Sequence, residues 1–306
     1  MIITVATGPY AHTASLADHN DHELEIRHEA IEPGKIFGRM LRDRCWDVAE
    51  MSLASIYMLS DAGDQRFAAL PVFTSRAFRH SALYVPINSS ISHPRDLEGR
   101  TFGVLRYSMT GAIYVRALLA EQYGVRVETL AWVVGDDSAQ PVGVKLRRVD
   151  GLPALDQLAA SGEIDCLVSG RVPPSFLTGK LRRLFPEFGV EEKAAFQSNG
   201  IFPIMHALVA RREVVQERPD IVRLLLTRFE SAKTNAEANL RNLDFSVYPL
   251  PWLAAYVDDA VRHMGPALWP YGVPQNRRTL SDFARLMAQQ GLTGRVLSPE
   301  SVFEFS

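Results

Sequence analysis

Short apolar runs with strand character alternate with helical patterns through most of this chain, and the alternation limits the folds that the chain can adopt. Trp46 to Met51 is typical of a buried strand, and a short apolar helix is expected from Ser52. Thr101 to Leu105 is likewise strand-like and precedes a helical pattern from Thr110 to Tyr123. Because parallel strands need crossover connections, this order predicts an α/β fold of mainly parallel sheets with helices on both faces.

Beyond residue 206 the pattern becomes helical, with a long amphipathic helix expected from Pro219. The chain has 306 residues, about two domains' worth at roughly 150 residues per domain. No Gly/Ser-rich linker divides it in the middle. We therefore expect two lobes that share the chain, with strands crossing between them.

Composition and charge exclude several classes of protein. The formal net charge of −2 gives no basic surface for nucleic acid. Two cysteines are too few for a disulfide framework or a four-thiolate zinc site. No run approaches the ~20 apolar residues of a membrane span, and the start of the chain has the pattern of a strand rather than of a signal peptide. We expect a cytoplasmic protein that binds neither nucleic acid nor membrane.

Polar side chains concentrate where the expected strands end. In open α/β sheets, ligands bind beyond the carboxyl ends of strands, where helix N-termini present free N–H groups. The candidates chosen on this basis include Tyr10, His12, Glu50, Ser52, Arg76, Arg79, His80, Arg106, Ser108, Thr110, Ser169, Arg171 and His206. Arginines beside helix N-termini bind carboxylates, so the set indicates an anion site.

Each member of this set also has a structural interpretation. The serines and Thr110 could be helix N-caps, worth about 1 kcal/mol each. The arginines could be solvated surface charges. His80 and His206, with apolar neighbours in sequence, could be hydrogen-bonded core histidines, and Glu50 could be a structural carboxylate paired with an arginine. The chain has no G-x-S-x-G, H-E-x-x-H, P-loop or Rossmann glycine motif, so the residues alone indicate a binding site without a reaction.

Several segments nevertheless resemble one family along nearly the whole chain. They are Phe37-Gly38-Arg39-Met40-Leu41, Trp46 to Leu53, Leu70 to Ser81, the Met109-Thr110 turn, Gly200 to His206, Trp269-Pro270-Tyr271-Gly272, Asn276-Arg277 and Gln290-Gly291-Leu292. Taken in order, these segments resemble the 4,5-dihydroxyphthalate decarboxylase family.

The resemblance implies the two-lobed fold of type 2 periplasmic binding proteins, with a ligand cleft between the lobes. On that basis the first lobe contains residues 1–85 and 207–306, and the second contains residues 86–206. The hinge strands are expected near Leu83 and Ala207.

The resemblance also implies a reaction, the conversion of 4,5-dihydroxyphthalate to protocatechuate and carbon dioxide without a required cofactor. Protonation of the ring carbon that bears the carboxylate avoids an unstable ring anion, and a histidine suits such proton transfer near pH 7. We expect His80 and His206 to be the proton-transfer pair, with Glu50 orienting one of them or taking the phenolic proton. Substrate binding is expected from Tyr10, Ser52, Arg76, Arg79, Arg106, Ser108, Thr110, Ser169 and Arg171.

Two alternatives stay open at this point. Two histidines and one glutamate could instead hold a divalent metal ion, although their sequence spacing gives no argument for it. The same residues could also form a cytoplasmic receptor for an aromatic or other dicarboxylate, without turnover. The partner that we expect is a small-molecule aromatic carboxylate. The aromatic C-terminal third is expected to pack in the core and could also build a homo-oligomer interface.

Overall fold

A computed structural model describes residues 2–18, 24–136, 141, 143–242, 244 and 247–305 of the chain. Its strands, in chain order, are β1 (Ile2–Thr7), β2 (Glu25–Ala30), β3 (Val48–Ser52), β4 (Phe67–Arg76), β5 (Leu83–Pro86), β6 (Thr101–Val104), β7 (Ala131–Val134), β8 (Leu146–Arg148), β9 (Cys166–Val168), β10 (Leu181–Arg183) and β11 (Ile204–Arg211). Its helices are α1 (Pro33–Asp43), α2 (Leu53–Asp61), α3 (Thr110–Ala117), α4 (Gly151–Ser161), α5 (Pro174–Leu177), α6 (Phe188–Asn199), α7 (Arg212–Glu217), α8 (Pro219–Leu240), α9 (Leu253–Met264), α10 (Val273–Gln289) and α11 (Pro299–Val302).

The chain forms two compact units. The first contains Met1–Arg76, Ile204–Ser281 and Leu297–Ser306, and the second contains Ala77–Pro203 and Asp282–Val296. The division after residue 76 comes earlier than the lobe boundary expected at residue 85, since β5 pairs within the second sheet. His206, expected in the second lobe, lies on β11 in the first unit.

The sheet of the first unit has the strand order β2-β1-β3-β11-β4. Its central strand, β3, is buried along almost its whole length, as the apolar run in the sequence predicted. β1 pairs in parallel with β2 and β3, whereas β11 runs antiparallel to both of its neighbours, β3 and β4. The carboxyl ends of β1 and β3 therefore meet the amino end of β11 at one edge.

The sheet of the second unit has the order β10-β5-β9-β6-β7-β8. β6, β7, β8 and β9 pair in parallel, and β5 is antiparallel to β9 and β10. Both sheets are thus mixed, where the sequence pattern indicated mainly parallel ones. The strands that precede β5 and β11 in the chain belong to the other unit, so no crossover within the same sheet forces these two strands to be parallel.

Helix α3 begins at Thr110, directly after a strand–turn segment, as predicted. It continues into one π-helical turn, Leu118–Gln122, before Gly124 ends the segment with a positive φ of 67°. A π-helical turn carries one extra residue and changes the direction of the side chains around it. This turn carries Gln122, which contacts His80 in the same unit.

The C-terminal aromatic residues have different environments. Tyr271 is buried in the first unit, and the indole Nε1 of Trp269 donates a 2.7 Å hydrogen bond to the carbonyl oxygen of Phe73. Trp252 keeps 76% of its surface exposed. Among the described residues, no helix combines the length and the apolar character that crossing a bilayer requires.

Candidate functional site

A histidine and a buried carboxylate meet at the edge of the first sheet. The register of β3 and β11 pairs His206 with Ser52 and Leu208 with Glu50. His206 and Glu50 are therefore diagonal neighbours on one face of the sheet. Nδ1 of His206 lies 2.5 Å from Oε1 of Glu50.

Glu50 is held by two further donors from the loop that follows β1. The backbone N–H of Gly8 donates to Oε2 at 2.6 Å, and the hydroxyl of Tyr10 donates to Oε1 at 2.7 Å. Burial raises the pKa of Glu50, but the hydrogen bonds from His206, Tyr10 and Gly8, together with the charge of His206, outweigh burial and hold this pKa below its usual value. Glu50 is therefore ionised near neutral pH although it is fully buried.

The two partners differ in their access to solvent. The side chain of Glu50 has no exposed surface, whereas that of His206 keeps 21%. The ring of Phe37, from α1, lies edge-on to the imidazole at 4.9 Å and fixes its plane. Because the carboxylate accepts the proton on Nδ1, Nε2 is the ring nitrogen that remains for exchange with a ligand.

An aromatic wall supports Tyr10. The imidazole of His12 stacks on the Tyr10 ring at 5.1 Å, and its Nε2 donates to the carbonyl oxygen of Thr74 at 3.0 Å. The Trp269 ring completes the wall, with its centroid 5.2 Å from that of the His12 ring. Burial lowers the pKa of His12 and, together with the nearby Glu50, raises the pKa of Tyr10, so both are neutral near pH 7. Tyr10, expected to bind substrate, is in this structure a hydrogen-bond donor to Glu50.

Arg76 and Ser52, the other expected substrate-binding residues of this unit, have different surroundings. The guanidinium of Arg76 is 7% exposed and donates to the carbonyl oxygen of Pro270 and to Oδ1 of Asn276. Two residues of the C-terminal part of the chain thus accept hydrogen bonds from Arg76. Ser52 ends β3 opposite His206 and precedes α2 as its N-cap residue, but its side chain makes no capping hydrogen bond.

In the second unit, Arg79 lies against the N-terminus of α3. An added Cβ at Gly111 would fall 3.1 Å from its Nε, and one at Gly170 would fall 3.0 Å from its Nη1. The guanidinium therefore lies beside the first turn of α3 and beside the turn that follows β9. Burial lowers the pKa of Arg79 to about 10, with Glu192 opposing this effect, so the group is cationic at pH 7.

The hydroxyl residues expected around this cation lie on the same two turns. Ser108 and Thr110 are buried beside the start of α3, whose N-cap residue is Met109 rather than either of them. Ser169 is buried after β9, and its hydroxyl donates to the carbonyl oxygen of Arg171 at 2.7 Å. The start of α3 and the turn after β9 therefore carry the expected residues of this unit that are buried near Arg79, which are Ser108, Thr110 and Ser169.

Two expected arginines are less enclosed. Arg106 forms an ion pair with Asp136, and both side chains keep about two fifths of their surface exposed. Arg171 is exposed.

His80 is surrounded as a core histidine would be. It is 2% exposed, and its Nε2 donates to Oε1 of Gln122 at 3.1 Å. Its ring lies 5.3 Å from that of Phe185. Nδ1 is buried without a hydrogen-bond partner in the described part of the chain, and burial lowers the pKa of the imidazole, which is neutral near pH 7.

The metal alternative gains no support from the described ranges. Within them, no group of three or more His, Cys, Asp or Glu side chains is arranged to hold a metal ion. The Glu50–His206 pair supplies two groups only, and their short contact is to each other.

Sequence reasoning missed Gly8, whose N–H completes the set of donors to Glu50. The available signal was a glycine directly after the first strand, a pattern that indicates no more than a turn. His12 follows the same strand as Tyr10 and is a candidate for the same reason, but a single histidine after a strand does not indicate what its ring contacts.

No protein-family model matches the chain. It is 33% identical over 287 residues to the 4,5-dihydroxyphthalate decarboxylase of Comamonas testosteroni, a match that covers 89% of this chain and 86% of the relative. It is 29% identical over 194 residues to the protein of the same name from Pseudomonas putida, covering 58% and 73% of the two chains.

Among solved structures, the chain is similar to the periplasmic aliphatic sulphonate binding protein SsuA from Escherichia coli. The TM-score is 0.55 at 14% identity, and the match covers 99% of this chain and 92% of the other. At that identity the likeness concerns the fold, which is that of the periplasmic binding proteins. The sequence match to the Comamonas protein extends over nearly the whole chain. The chain belongs to the 4,5-dihydroxyphthalate decarboxylase family.

Proposed function

We propose that this protein is a non-oxidative decarboxylase, a carboxy-lyase, of a hydroxylated aromatic carboxylate, with 4,5-dihydroxyphthalate as its substrate and protocatechuate and carbon dioxide as products. The observation that carries the proposal is the pair of His206 and Glu50, a partly exposed imidazole on a fully buried carboxylate. A receptor for a dicarboxylate needs cationic and N–H donors but no proton-transfer group. The two curated relatives are named as decarboxylases, so the receptor alternative is not favoured.

The reaction consumes one proton per turnover. The phenolic proton para to the departing carboxylate first passes to solvent and returns when the ring regains its aromaticity. A proton adds to the ring carbon that bears the carboxylate, using a pair of ring electrons, and the para phenolate oxygen becomes the carbonyl oxygen of the resulting dienone. The bond to the carboxylate then breaks, its electron pair returns to the ring, and carbon dioxide leaves. The step therefore needs a proton donor at the ring carbon and electrostatic stabilisation of the phenolate oxygen.

His206 is the proton donor in this proposal, acting from Nε2. Glu50 holds the other ring nitrogen and orients the imidazole, as a carboxylate does in a catalytic triad. Both oxygens of Glu50 already accept hydrogen bonds, so we assign it to orientation rather than to removal of the phenolic proton. The exposed part of His206 lets solvent restore the proton after each turnover.

Arg79 is the proposed ligand for a substrate carboxylate. A guanidinium and the positive end of a helix both attract anions, so a substrate carboxylate beside Arg79 and the start of α3 would interact with each of them. The buried hydroxyl groups of Ser108 and Thr110, at the same helix end, are suited to the same anion. We do not assign Arg76 to the substrate, because Pro270 and Asn276 accept from its guanidinium. His80, with a buried Nδ1, is assigned to packing in the second unit.

Incubation with 4,5-dihydroxyphthalate tests the proposal directly. We expect release of carbon dioxide and formation of protocatechuate in equal amounts. In deuterium oxide the product carries one deuterium at the carbon that lost the carboxylate. Phthalate tests the need for the hydroxyl para to the departing group. Protocatechuate and 4-hydroxybenzoate keep that hydroxyl and test the need for the second carboxylate. Tight binding of 4,5-dihydroxyphthalate without turnover would contradict the proposal and favour a receptor.

A further inference from the structure

The loop that holds Glu50 is unusually tight. The backbone N–H of Tyr10 donates to the carbonyl oxygen of Gly8 at 2.8 Å, which closes a three-residue turn around Pro9. The hydroxyl of Thr7 donates to the same carbonyl oxygen at 2.9 Å. The turn folds the side chain of Tyr10 back over the residue that begins it.

The Tyr10 ring occupies the space where any other residue at position 8 would carry its Cβ. A Cβ built on Gly8 falls 2.5 Å from Cζ, 2.6 Å from Cε2 and 2.8 Å from the hydroxyl oxygen of Tyr10. Contacts below 3.0 Å are essentially never made by a real Cβ, so the ring would have to move. Glycine is needed at position 8 for this close approach rather than for a positive φ.

Both ends of this contact act on the same carboxylate. The hydroxyl that lies over Gly8 is the group that donates to Oε1 of Glu50, and the N–H of Gly8 donates to Oε2. Displacing the Tyr10 ring would therefore remove one donor from Glu50 and leave the other in place. The stacked ring of His12, on the Tyr10 face, limits where the displaced ring could go.

We infer that Gly8 is a positioning residue. Because Gly8 has no side chain, the Tyr10 ring has room to place its hydroxyl against Glu50, and this hydrogen bond holds Glu50 as the partner of His206. This inference rests on the proposed function for its consequence in catalysis. Its structural content, the effect of Gly8 on Glu50 through Tyr10, does not depend on the reaction.

Other ionisable groups near Glu50 need to be considered in any test that uses pH. β11 presents His206 and the loop after β1 presents Tyr10. The single 3₁₀ turn that follows, Ala11–Thr13, presents His12, on which the charge of Glu50 acts. The helices packed against β3 bury apolar side chains, except that α2 also buries Tyr57, whose hydroxyl donates to the carbonyl oxygen of Leu280. A titration of Glu50 must therefore be read on its own carboxyl carbon.

The experiment is a carbon-13 NMR titration of protein labelled at the glutamate carboxyl groups, with the Glu50 signal assigned by its loss in Glu50→Gln. Tyr10→Phe removes one hydrogen bond to a charged acceptor, so we expect the Glu50 midpoint to rise by about one pH unit. Gly8→Ala should raise it by a similar amount, because the methyl group displaces the ring. Gly189→Ala is the matched control, since a Cβ there meets nothing within 4 Å, and should leave the midpoint unchanged.

A double variant separates the steric effect from a general loss of structure. In Tyr10→Ala there is no ring for a Cβ at position 8 to meet. Adding Gly8→Ala to Tyr10→Ala should then change neither the Glu50 midpoint nor the unfolding midpoint in urea further. An unchanged Glu50 titration in Gly8→Ala would overturn the inference, as would an effect of Gly8→Ala that simply adds to that of Tyr10→Ala.

The two levels of the proposal fail in different ways. If Gly8→Ala raises the Glu50 midpoint as expected but Glu50→Gln decarboxylates at the wild-type rate, the positioning role of Gly8 stands and the proposed role of the His206–Glu50 pair does not. If Gly8→Ala does not fold, two other tests remain. Tyr10→Phe decides whether the hydroxyl holds Glu50. Comparison of Tyr10→Ala with and without Gly8→Ala decides whether a methyl group added at position 8 acts through the ring.

Discussion

His206 and Glu50 are 156 residues apart in sequence, yet the antiparallel pairing of β3 and β11 brings Nδ1 of one to 2.5 Å from Oε1 of the other. The carboxylate is fully buried and the imidazole is partly exposed. A buried charge is costly unless hydrogen bonds and an opposite charge compensate it, and here three donors do so. The arrangement leaves Nε2 as the imidazole nitrogen that Glu50 does not hold.

Glu50→Gln should lower kcat strongly. The amide presents an N–H where the carboxylate accepted, so the tautomer and orientation of His206 are lost. We expect a decrease in kcat of about 10²- to 10⁴-fold, measured by product formation from 4,5-dihydroxyphthalate. Glu213→Gln, which alters an exposed ion pair with Arg44, is the control and should keep wild-type turnover. A Glu50→Gln variant with normal kcat would remove Glu50 from the mechanism.

The ionisation of Glu50 should also appear in the pH dependence of stability. Its pKa in the folded protein is lower than the ordinary glutamate value of 4.5, so the unfolded state binds more protons at acidic pH. The contribution of Glu50 is therefore fully present above about pH 4.5 and is lost as the pH falls below it, by at most about 1.4 kcal/mol per pH unit.

Urea unfolding of the wild type and of Glu50→Gln at about pH 6, about pH 4.5 and about pH 3.5, values that bracket the ordinary pKa of a glutamate, measures this contribution. The difference between the two free energies of unfolding should shrink toward the lowest pH. A constant difference would mean that the pKa of Glu50 is the same in the folded and unfolded protein, which would contradict a lowered pKa in the fold.

Part of this site was accessible from the sequence. Candidates chosen near the ends of expected strands include Tyr10, Glu50 and His206, which the structure brings together in one hydrogen-bonded group. Only Tyr10 follows its strand, whereas Glu50 and His206 lie inside β3 and β11. The register that joins β11 to β3 could not be read, because antiparallel pairing across a long sequence separation leaves no local signal. The same separation concealed the Arg76 contact with Asn276.

The second unit shows a different limit of sequence reasoning. The sequence around His80 does not distinguish it from His206. Only the tertiary packing of His80 against Phe185 and Gln122 does so. In the first unit, the strand β2 was missed because Glu25–Ala30 is rich in charged residues. Its pairing with β1 at the edge of the sheet outweighs the low strand propensity of those residues.

Arg79 should affect substrate binding rather than the chemical step. Arg79→Lys keeps the charge but loses the planar pair of donors, so we expect kcat/KM to fall by about 10- to 100-fold, mainly through KM. Arg126→Lys, in an exposed ion pair with Glu98, is the control. Gly111→Ala, whose Cβ would lie 3.1 Å from Nε of Arg79, should raise KM in the same direction. An unchanged KM in both Arg79 and Gly111 variants would exclude this carboxylate site.

Replacement of His80 is expected to change stability and not turnover. Burial lowers its pKa, so the folded state favours the neutral imidazole, and its contribution to stability is present above the ordinary histidine pKa of 6.5 and is lost as the pH falls below it. His80→Gln should reduce this acid sensitivity and cost about 1–3 kcal/mol of stability at neutral pH while kcat stays near that of the wild type. A folded His80→Gln variant with strongly reduced kcat would instead restore His80 as the second proton-transfer residue.

The turnover of a folded His206→Gln variant tests the role of this imidazole most directly. With saturating 4,5-dihydroxyphthalate, we predict a kcat about 10²- to 10⁴-fold below that of the wild type, with the substrate still bound. Wild-type kcat in that variant, with deuterium from the solvent still incorporated at the carbon that lost carbon dioxide, would contradict the account.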